Sequence, residues 1–465
     1  MSSAPKPIPG LSPAPLSSLR QRIESGQLHP GTRLESLRQA AARLGLTQHA
    51  VLTAYRQLAD AGLVEARHGS GFYVASREGA PVPSWLPSGP GLDRLLDTAL
   101  LIQGFVEPSA LLKCGSGVLP REWLAPLELH RHLRAVAGQA GSCLYDYGSA
   151  LGYPPLREAL RRRLGRRRMD CSPDQVLLTA GITQGLELIV RGLCRPGDSV
   201  LVEDPGYYNL FGLLETSGLR LLPVPRTARG PDLDVLEALL RAGEAPKLFF
   251  LQSLLHNPTG GDLDPAAARR LLLLAERHGF LIAEDDAYAD LAEDGDLRLA
   301  ALDGWRRVLY LSGFTKTVSA GLRVGFVAGA GPVIEVLARA KLLTSIATSE
   351  FVERVIHRVL TDGGYDPFAA GMRRRLVEAQ SLWQEDLEQA GWEIFPGHRR
   401  GYFVWAAHPR WADSAALARA AAAAGFWLAP GSAFDPRHGR SPWVRFNVAY
   451  RSLSLTAWLQ AAGAR

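Results

Sequence analysis

Lys316 and Arg323 stand seven residues apart in VLYLSGFTKTVSAGLRVGFVAG, among small residues and between two apolar runs. Only five lysines occur in the chain (Lys6, Lys113, Lys247, Lys316, Lys341), against a large excess of arginine. Arginine stays protonated, whereas a desolvated lysine gives up its proton and can form imines with carbonyls. In FLIAEDDAY, Asp285 precedes Tyr288 by three. Three acids after an apolar run are costly to bury unless cations or donors meet them. A metal site is an alternative there, but no His stands at ligand spacing. Asn257, one of three asparagines, lies in HNPTG, where a turn is its ordinary use. In VLLTAGITQG, Gly181 opens a helix at Ile182-Thr183; such a start offers free N–H groups to phosphate, or is merely where a helix begins. Together these residues describe a site for an aldehyde cofactor carrying a phosphate. Lys316 would form the Schiff base, and Asp285 would pair with a protonated pyridine nitrogen and keep the ring an electron sink. Tyr288 and Asn257 would bond the phenolic oxygen of the ring. Arg323 and the Ile182-Thr183 helix end would hold the phosphate, and Tyr207, in VEDPGYYN, would stack on the ring.

These residues need a frame that brings distant segments together. From about residue 110, short apolar runs alternate with amphipathic helices. Strands are expected at 175–179, 199–202, 247–251, 280–283, 308–312 and 324–328, with helices such as 182–193 and 265–278 between them. This pattern is that of an α/β fold with a largely parallel sheet, where ligands bind beyond the carboxyl ends of strands.

The N-terminal segment is different. Helices are expected from Pro15 to Ile23, from Ser36 to Leu44 and from Gln48 to about Ala61, with a turn at Gly45-Leu46-Thr47 and Thr47 as cap. Two short strands, 63–66 and 72–74, flank Arg67-His68-Gly69-Ser70-Gly71. These are the parts of a winged helix-turn-helix. A helical protein–protein module would have the same shape. In the DNA-binding reading the second helix enters the major groove, and glycines at the hairpin tip let the backbone approach phosphate. The first 80 residues hold nine basic and five acidic side chains, so four of the chain's six surplus positive charges sit in about a sixth of its length. That asymmetry agrees with a polyanionic partner.

Length and composition bound the rest. At 465 residues, 47% apolar and 21% charged, the chain is globular, with room for about two to four domains. No apolar run reaches about 18 residues, so no transmembrane helix is expected, and MSSAPKPIPGLSPAPL lacks the apolar stretch of a signal peptide. Cys114, Cys143, Cys171 and Cys194 form no CxxC pair, which excludes a zinc ribbon or dithiol motif. The expected compartment is the cytoplasm. Four prolines between 81 and 90 mark a connector, and 93–106 is expected to be helical. The domains are therefore expected at 1–75, 76–109 (linker) and 110–465, the last with a large part at about 140–335 and a smaller C-terminal α+β part at about 345–465. The basic run Arg161–Arg168 reads as a solvated face.

The segment SGQLHPGTRLESLRQAAARLGLTQHAVLTAYRQLADAGLVEARHGSGFYV resembles the DNA-binding domain of GntR-type bacterial repressors. The resemblance implies DNA contacts from Arg38, from Gln48 and His49 at the start of the second helix, and from a wing containing Arg67, Gly69 and Gly71. Where that family often has Pro-Ser-Ser-Arg, this chain has Glu35-Ser36-Leu37-Arg38, and its Ser-Arg is here Thr47-Gln48. Gln48 can still read adenine, without charge.

YGSALGYPPLREAL, TAGITQGLEL, VEDPGYYN, HNPTG, EDDAY, SGFTKTVSAGLRVGF, APGSAF and VRFNV, in this order, resemble fold-type I aminotransferases of the aspartate aminotransferase superfamily over about 110–460. This implies pyridoxal 5′-phosphate as cofactor. It also implies that Tyr147 reaches the cofactor phosphate held by a partner subunit and that Arg445 clamps a substrate α-carboxylate. The family's phosphate-contacting Ser three before the lysine is Gly313 here, with Ser312 beside it as the substitute. The joined architecture is similar to the MocR family of transcription regulators. That resemblance implies a head-to-tail homodimer that reads two half-sites of operator DNA and responds to an amino compound. An active aminotransferase acting on an α-amino acid, with the winged helix secondary, is the alternative it leaves open.

Overall fold

A computed structural model describes residues 13–24, 28, 31–67, 71–75, 110–139, 141–397 and 400–464. The chain divides into two compact units, Met1–Ser88 and Gly89–Arg465. The linker at 76–109 and the helix expected at 93–106 lie outside the described residues, as do Gly69 and the side chain of Arg67.

In the first unit α1 (Pro13–Glu24), α2 (Leu37–Leu44) and α3 (Gln48–Asp60) precede a hairpin of β1 (Val64–Arg67) and β2 (Gly71–Val74). Ser36 caps α2 in a reciprocal capping box with Gln39. Gly45 ends it at φ 67°, a conformation that favours glycine. Thr47 accepts the Ala50 N–H and caps α3, as its position predicts. Apolar residues at helical spacing close a small core of Ala40, Ala41, Val51, Tyr55 and Leu58 against Leu34, Val64 and Val74. Arg38, Gln48 and His49 remain exposed.

In the second unit α4 (Pro154–Arg166) leads to β3 (Val176–Thr179) and α5 (Ile182–Leu193). Next come β4 (Ser199–Asp204), β5 (Arg220–Thr227), β6 (Gly230–Pro231), β7 (Leu248–Leu251), β8 (Leu281–Asp286), β9 (Val308–Gly313) and β10 (Gly325–Ala328). The sheet order is β3-β10-β9-β8-β7-β4-β5-β6. Neighbours from β5 through β4, β7 and β8 to β9 run parallel, and β10 is antiparallel to both β9 and β3. Two reversals restore direction, so β3 points the same way as β9. Its carboxyl end therefore opens on the same edge as those of β4, β7, β8 and β9, and β10 starts there. All six expected strands are present.

The strand β5 is absent from the sequence-based expectation, because Pro223 and Pro225 interrupt its pattern. They are tolerated because β5 ladders with β4 on one side, while β6 meets only Arg226 and Thr227 on the other. Helices cover both faces of the sheet. Val176 and Leu178 pack with Leu156 and Leu160 of α4, while Leu177 packs on the opposite face with Leu186 and Ile189 of α5.

The helix α6 (Tyr208–Thr216) follows β4. After β10, α7 (Gly331–Ser345) and α8 (Glu350–Thr361) lead into the 25-residue α9 (Tyr365–Gln389). Beyond α9, β11 (Glu393–Ile394), β12 (Phe403–Ala407), β13 (Ala429–Pro430) and β14 (Trp443–Asn447) form a separate antiparallel sheet in the order β11-β12-β14-β13. The result is a fold-type I α/β domain with a smaller C-terminal α+β part. No helix among the described residues is long and apolar enough to cross a membrane.

Candidate functional site

The shared strand edge carries a cleft. Its lining includes Ile182, Thr183, Tyr207, Asn257, Asp285, Tyr288, Lys316 and Arg323, eight of the residues singled out from sequence. The carboxyl ends of five strands and the start of β10 supply them, so only the assembled sheet makes them neighbours.

Strand alternation sorts the three acids of β8. Glu284 and Asp286 share one face with Ile282; Asp285 shares the other with Ala283. Glu284 accepts the hydroxyl of Ser253 and the N–H groups of Leu299 and Ala300 at 2.8 Å. Asp286 accepts from Arg298 Nε and the Tyr310 hydroxyl, each at 2.7 Å. Asp285 Oδ1 is buried with no hydrogen-bond partner among the described residues. Burial, and then the neighbouring Asp286, push its carboxyl up to about 7. Among the described residues no group of three or more acids, His or Cys is placed to hold a metal ion.

Lys316 sits in a turn after β9, and its Nζ donates to the Gly117 carbonyl at 2.7 Å. Burial first, then the nearby Arg445 guanidinium, bring this ammonium down to about 8, so a minor but real share is free amine near neutrality. Arg445 is wholly buried on β14. It donates to Asn257 Oδ1 at 2.7 Å and to the Gly115 carbonyl at 2.6 Å, with its guanidinium against Phe403 and Phe434. It is not a lining residue of the cleft, but it adjoins Lys316: a methyl group on Gly117 would lie 3.7 Å from Lys316 Nζ and 3.8 Å from Arg445 Nη2.

The anion end is built from backbone. Gly181 precedes α5 without any side-chain cap, which leaves the first N–H groups of the helix open. Arg323 packs on this turn, its Nη2 bonded to the Ala180 carbonyl at 3.3 Å. A Cβ on Gly181 would stand 2.7 Å from that Nη2, and φ is +79° there. Gly181→Ala is therefore expected to displace Arg323 and to destabilise the large unit by about 1–3 kcal/mol, read as a lowered melting temperature of the ligand-free chain.

One expected phosphate contact falls elsewhere. Ser312 is outside the cleft lining; it is buried and its hydroxyl donates to the Asp286 carbonyl at 2.9 Å. Thr315 and Gly313 line the cleft instead, and Thr315 Oγ1 lies 3.5 Å from Arg323 Nη1. Gly313 faces Gly325 across the β9–β10 ladder, and a Cβ there would stand 3.0 Å from the Gly325 Cα, so side-chain bulk is excluded at the position where the resemblance leads one to expect serine. Tyr147 is 81% exposed and outside the cleft of its own chain. Gln252 is a lining residue that sequence reasoning misses; its Oε1 accepts the Asn257 N–H at 2.7 Å. Its place at the carboxyl end of β7 is the available signal.

Residues 113–456 match the family Aminotransferase class I and II, and residues 17–74 match the bacterial regulatory proteins of the gntR family. The HTH-type transcriptional regulator YdcR of Escherichia coli strain K12 is 32% identical, over 93% of this chain and 94% of its own. MocR of Rhizobium meliloti, named for regulation of rhizopine catabolism, is 28% identical over 78% of this chain and 74% of its own. Among solved structures, LysN of Thermus thermophilus is an α-aminoadipate aminotransferase complexed with N-(5′-phosphopyridoxyl)-L-leucine. It superposes with a TM-score of 0.72 at 27% identity, covering 81% of this chain and 96% of its own. The chain thus belongs to the MocR family of helix-turn-helix transcription regulators, in which a gntR-type DNA-binding domain is joined to a class I and II aminotransferase domain.

Proposed function

We propose that this regulator holds pyridoxal 5′-phosphate in the cleft of its large unit and uses it to read an amino compound bearing a carboxylate, and so adjusts the binding of a homodimer to operator DNA. The observation that carries the reading is Asp285 Oδ1. A buried carboxylate oxygen without a donor, in the same cleft as a lysine that is partly free amine, is ready for a protonated ring nitrogen. An uncapped helix start and Arg323 at the other end of the cleft suit a phosphate.

When bound, pyridoxal phosphate supplies an aldehyde that takes up amines and a pyridine ring that withdraws electrons. Lys316 Nζ is the covalent anchor. Asp285 accepts the ring N–H and so keeps that nitrogen protonated. Asn257 turns its Oδ1 to Arg445, which leaves its NH₂ for the phenolic oxygen of the ring, beside the Tyr288 hydroxyl. Tyr207 covers a ring face. Arg445 holds the effector carboxylate, its orientation set beforehand by Asn257, the Gly115 carbonyl and two aromatic rings.

The homodimer reading is supported by exposed apolar side chains: Tyr145 and Tyr147 on one loop, Leu343 and Ile346 at the end of α7. Lys341 ties these two segments together through the Ala150 carbonyl and Thr348 Oγ1. In a head-to-tail pair Tyr147 on this loop would reach the phosphate held by the second chain. On the DNA side Arg38, Gln48 and His49 are the proposed major-groove contacts, and Arg67, Gly69 and Gly71 the proposed wing contacts to the backbone and minor groove. A regulator of this kind works in the cytoplasm, where its operator is.

Footprinting upstream of the encoding gene is expected to show two protected half-sites. Leu58→Ala, which removes about 2–5 kcal/mol from the small core of the first unit, abolishes protection while the near-visible absorbance of the bound cofactor is retained. The intact set of Lys316, Asp285, Asn257 and Arg445 also favours the second reading, an aminotransferase. Accumulation of keto acid from an added amino acid, with DNA occupancy unmoved by it, would establish that reading over the regulatory one.

A further inference from the structure

The basic run Arg161–Arg168 is only half solvated. Arg163 and Arg167 turn inward from α4 and its end, and both donate to Asp290 Oδ1, at 2.9 and 2.6 Å. Arg373 of α9 bonds the Asp290 carbonyl at 3.0 Å. The other carboxylate oxygen of Asp290 accepts the Tyr365 hydroxyl at 2.6 Å. That hydroxyl has one hydrogen and gives it to a carboxylate, so toward Thr317 Oγ1, 2.7 Å away, it is the acceptor and Thr317 the donor. Tyr365, Thr317 and Asp290 are all buried.

Thr317 directly follows Lys316, and both lie in a turn outside any helix or strand. Within the turn the N–H groups of Val318 and Ser319 share one acceptor, the Phe314 carbonyl. On the other side of the turn the Tyr402 hydroxyl donates to the Lys316 carbonyl.

We propose that Tyr365 is a positioning residue for Lys316: through Thr317, with Asp290, Arg163 and Arg167 behind it, it clamps the backbone of this turn and keeps Nζ inside the cleft. The proposal deepens the reading of Lys316 as the covalent anchor and rests on it. The inner arginines of the run are thus structural supports of the site.

The test uses Tyr365→Phe, Thr317→Val and Thr317→Ser in the full chain. The first measurement is the pH dependence of Lys316 acylation in the ligand-free protein, followed by peptide mapping. Burial, Arg445 from β14, Arg323 before β10 and Asp285 from β8 set the charge of this amine, whose midpoint is about 8 in the intact fold. Loosening the turn lets Nζ reach water, so the midpoint rises in Tyr365→Phe and Thr317→Val and free amine at pH 8 falls about tenfold. The second measurement is the rate at which near-visible absorbance develops when pyridoxal phosphate is added at pH 8; it falls by a similar factor. Thr317→Ser keeps the donor and retains wild-type values in both. Variants that melt lower but keep the wild-type midpoint overturn the proposal, as does a serine variant that behaves like valine. A wild-type chain that develops no absorbance, while the variants still shift the acylation midpoint, overturns the cofactor reading and leaves the clamp standing. Absorbance in the wild type with unmoved variants does the reverse.

Discussion

Lys316→Ala removes the near-visible absorbance entirely, and borohydride treatment no longer leaves a covalent adduct on the chain. Among the described residues no other lysine lines the cleft, so no second amine is at hand to take over. Lys341, also buried, is the nearest in character, with its ammonium likewise brought down to about 8 by burial. It is engaged by the carbonyls of Ala150 and Leu178, both at 2.9 Å, and by Thr348. The variant is also expected to lose the response of DNA occupancy to added amino compounds, because without this anchor the cofactor that would receive them would not be held covalently in the cleft. Persistence of the absorbance in Lys316→Ala would falsify the assignment of the site.

Asp285→Asn has effects of opposite sign with and without cofactor. In the ligand-free chain the buried carboxyl is raised from an ordinary 3.8 to about 7, so its burial opposes folding. Below about pH 4 the group is protonated whether the chain is folded or not, and the opposition vanishes. It grows as pH rises through the interval between the two values, where the folded state holds the proton that the unfolded state has released. Above about 7 it is constant and at full size. Asparagine removes it. The ligand-free variant is therefore expected to be more stable by on the order of 1–3 kcal/mol above pH 7, with the gain fading toward pH 4. With pyridoxal phosphate the order inverts, since a charge-assisted hydrogen bond worth about 1.5–3 kcal/mol is lost and affinity falls roughly 10–150-fold. Thermal unfolding at pH 5 and pH 8, with and without cofactor, checks both signs. A variant destabilised in both states at pH 8 would show that Asp285 is already satisfied without the ring.

The same residue marks the boundary between what can be read along the chain and what cannot. EDDAY announces a carboxylate at the end of a buried strand. That Asp285, and neither Glu284 nor Asp286, lines the cleft depends on which strand face each side chain takes and on Arg298, Tyr310 and Ser253 waiting on the other side. Nearness to Lys316 in sequence points to Ser312, yet one residue along a strand is half a period, and its hydroxyl points to the Asp286 carbonyl while Thr315 meets the cleft. The run Arg161–Arg168 looks uniform because charge composition has no inside; helical rotation sends Arg163 and Arg167 to Asp290 and leaves Arg162 and Arg168 exposed.

Side-chain chemistry and local backbone rules were enough to determine the two units, the strands and helices with strong apolar periodicity, the cap at Thr47, and the identity of most cleft-lining residues, since each rests on short-range spacing or on a chemistry that few residue types can perform. The direction of every neighbouring strand, the gathering of five strand ends on one edge, the pairing of Arg445 with Asn257 188 residues away, and the clamp from Tyr365 to Thr317 were decided by the tertiary structure alone. Hydrogen bonds and burial act over a few ångströms in space, and separation along the chain carries no record of which distant groups will share that volume.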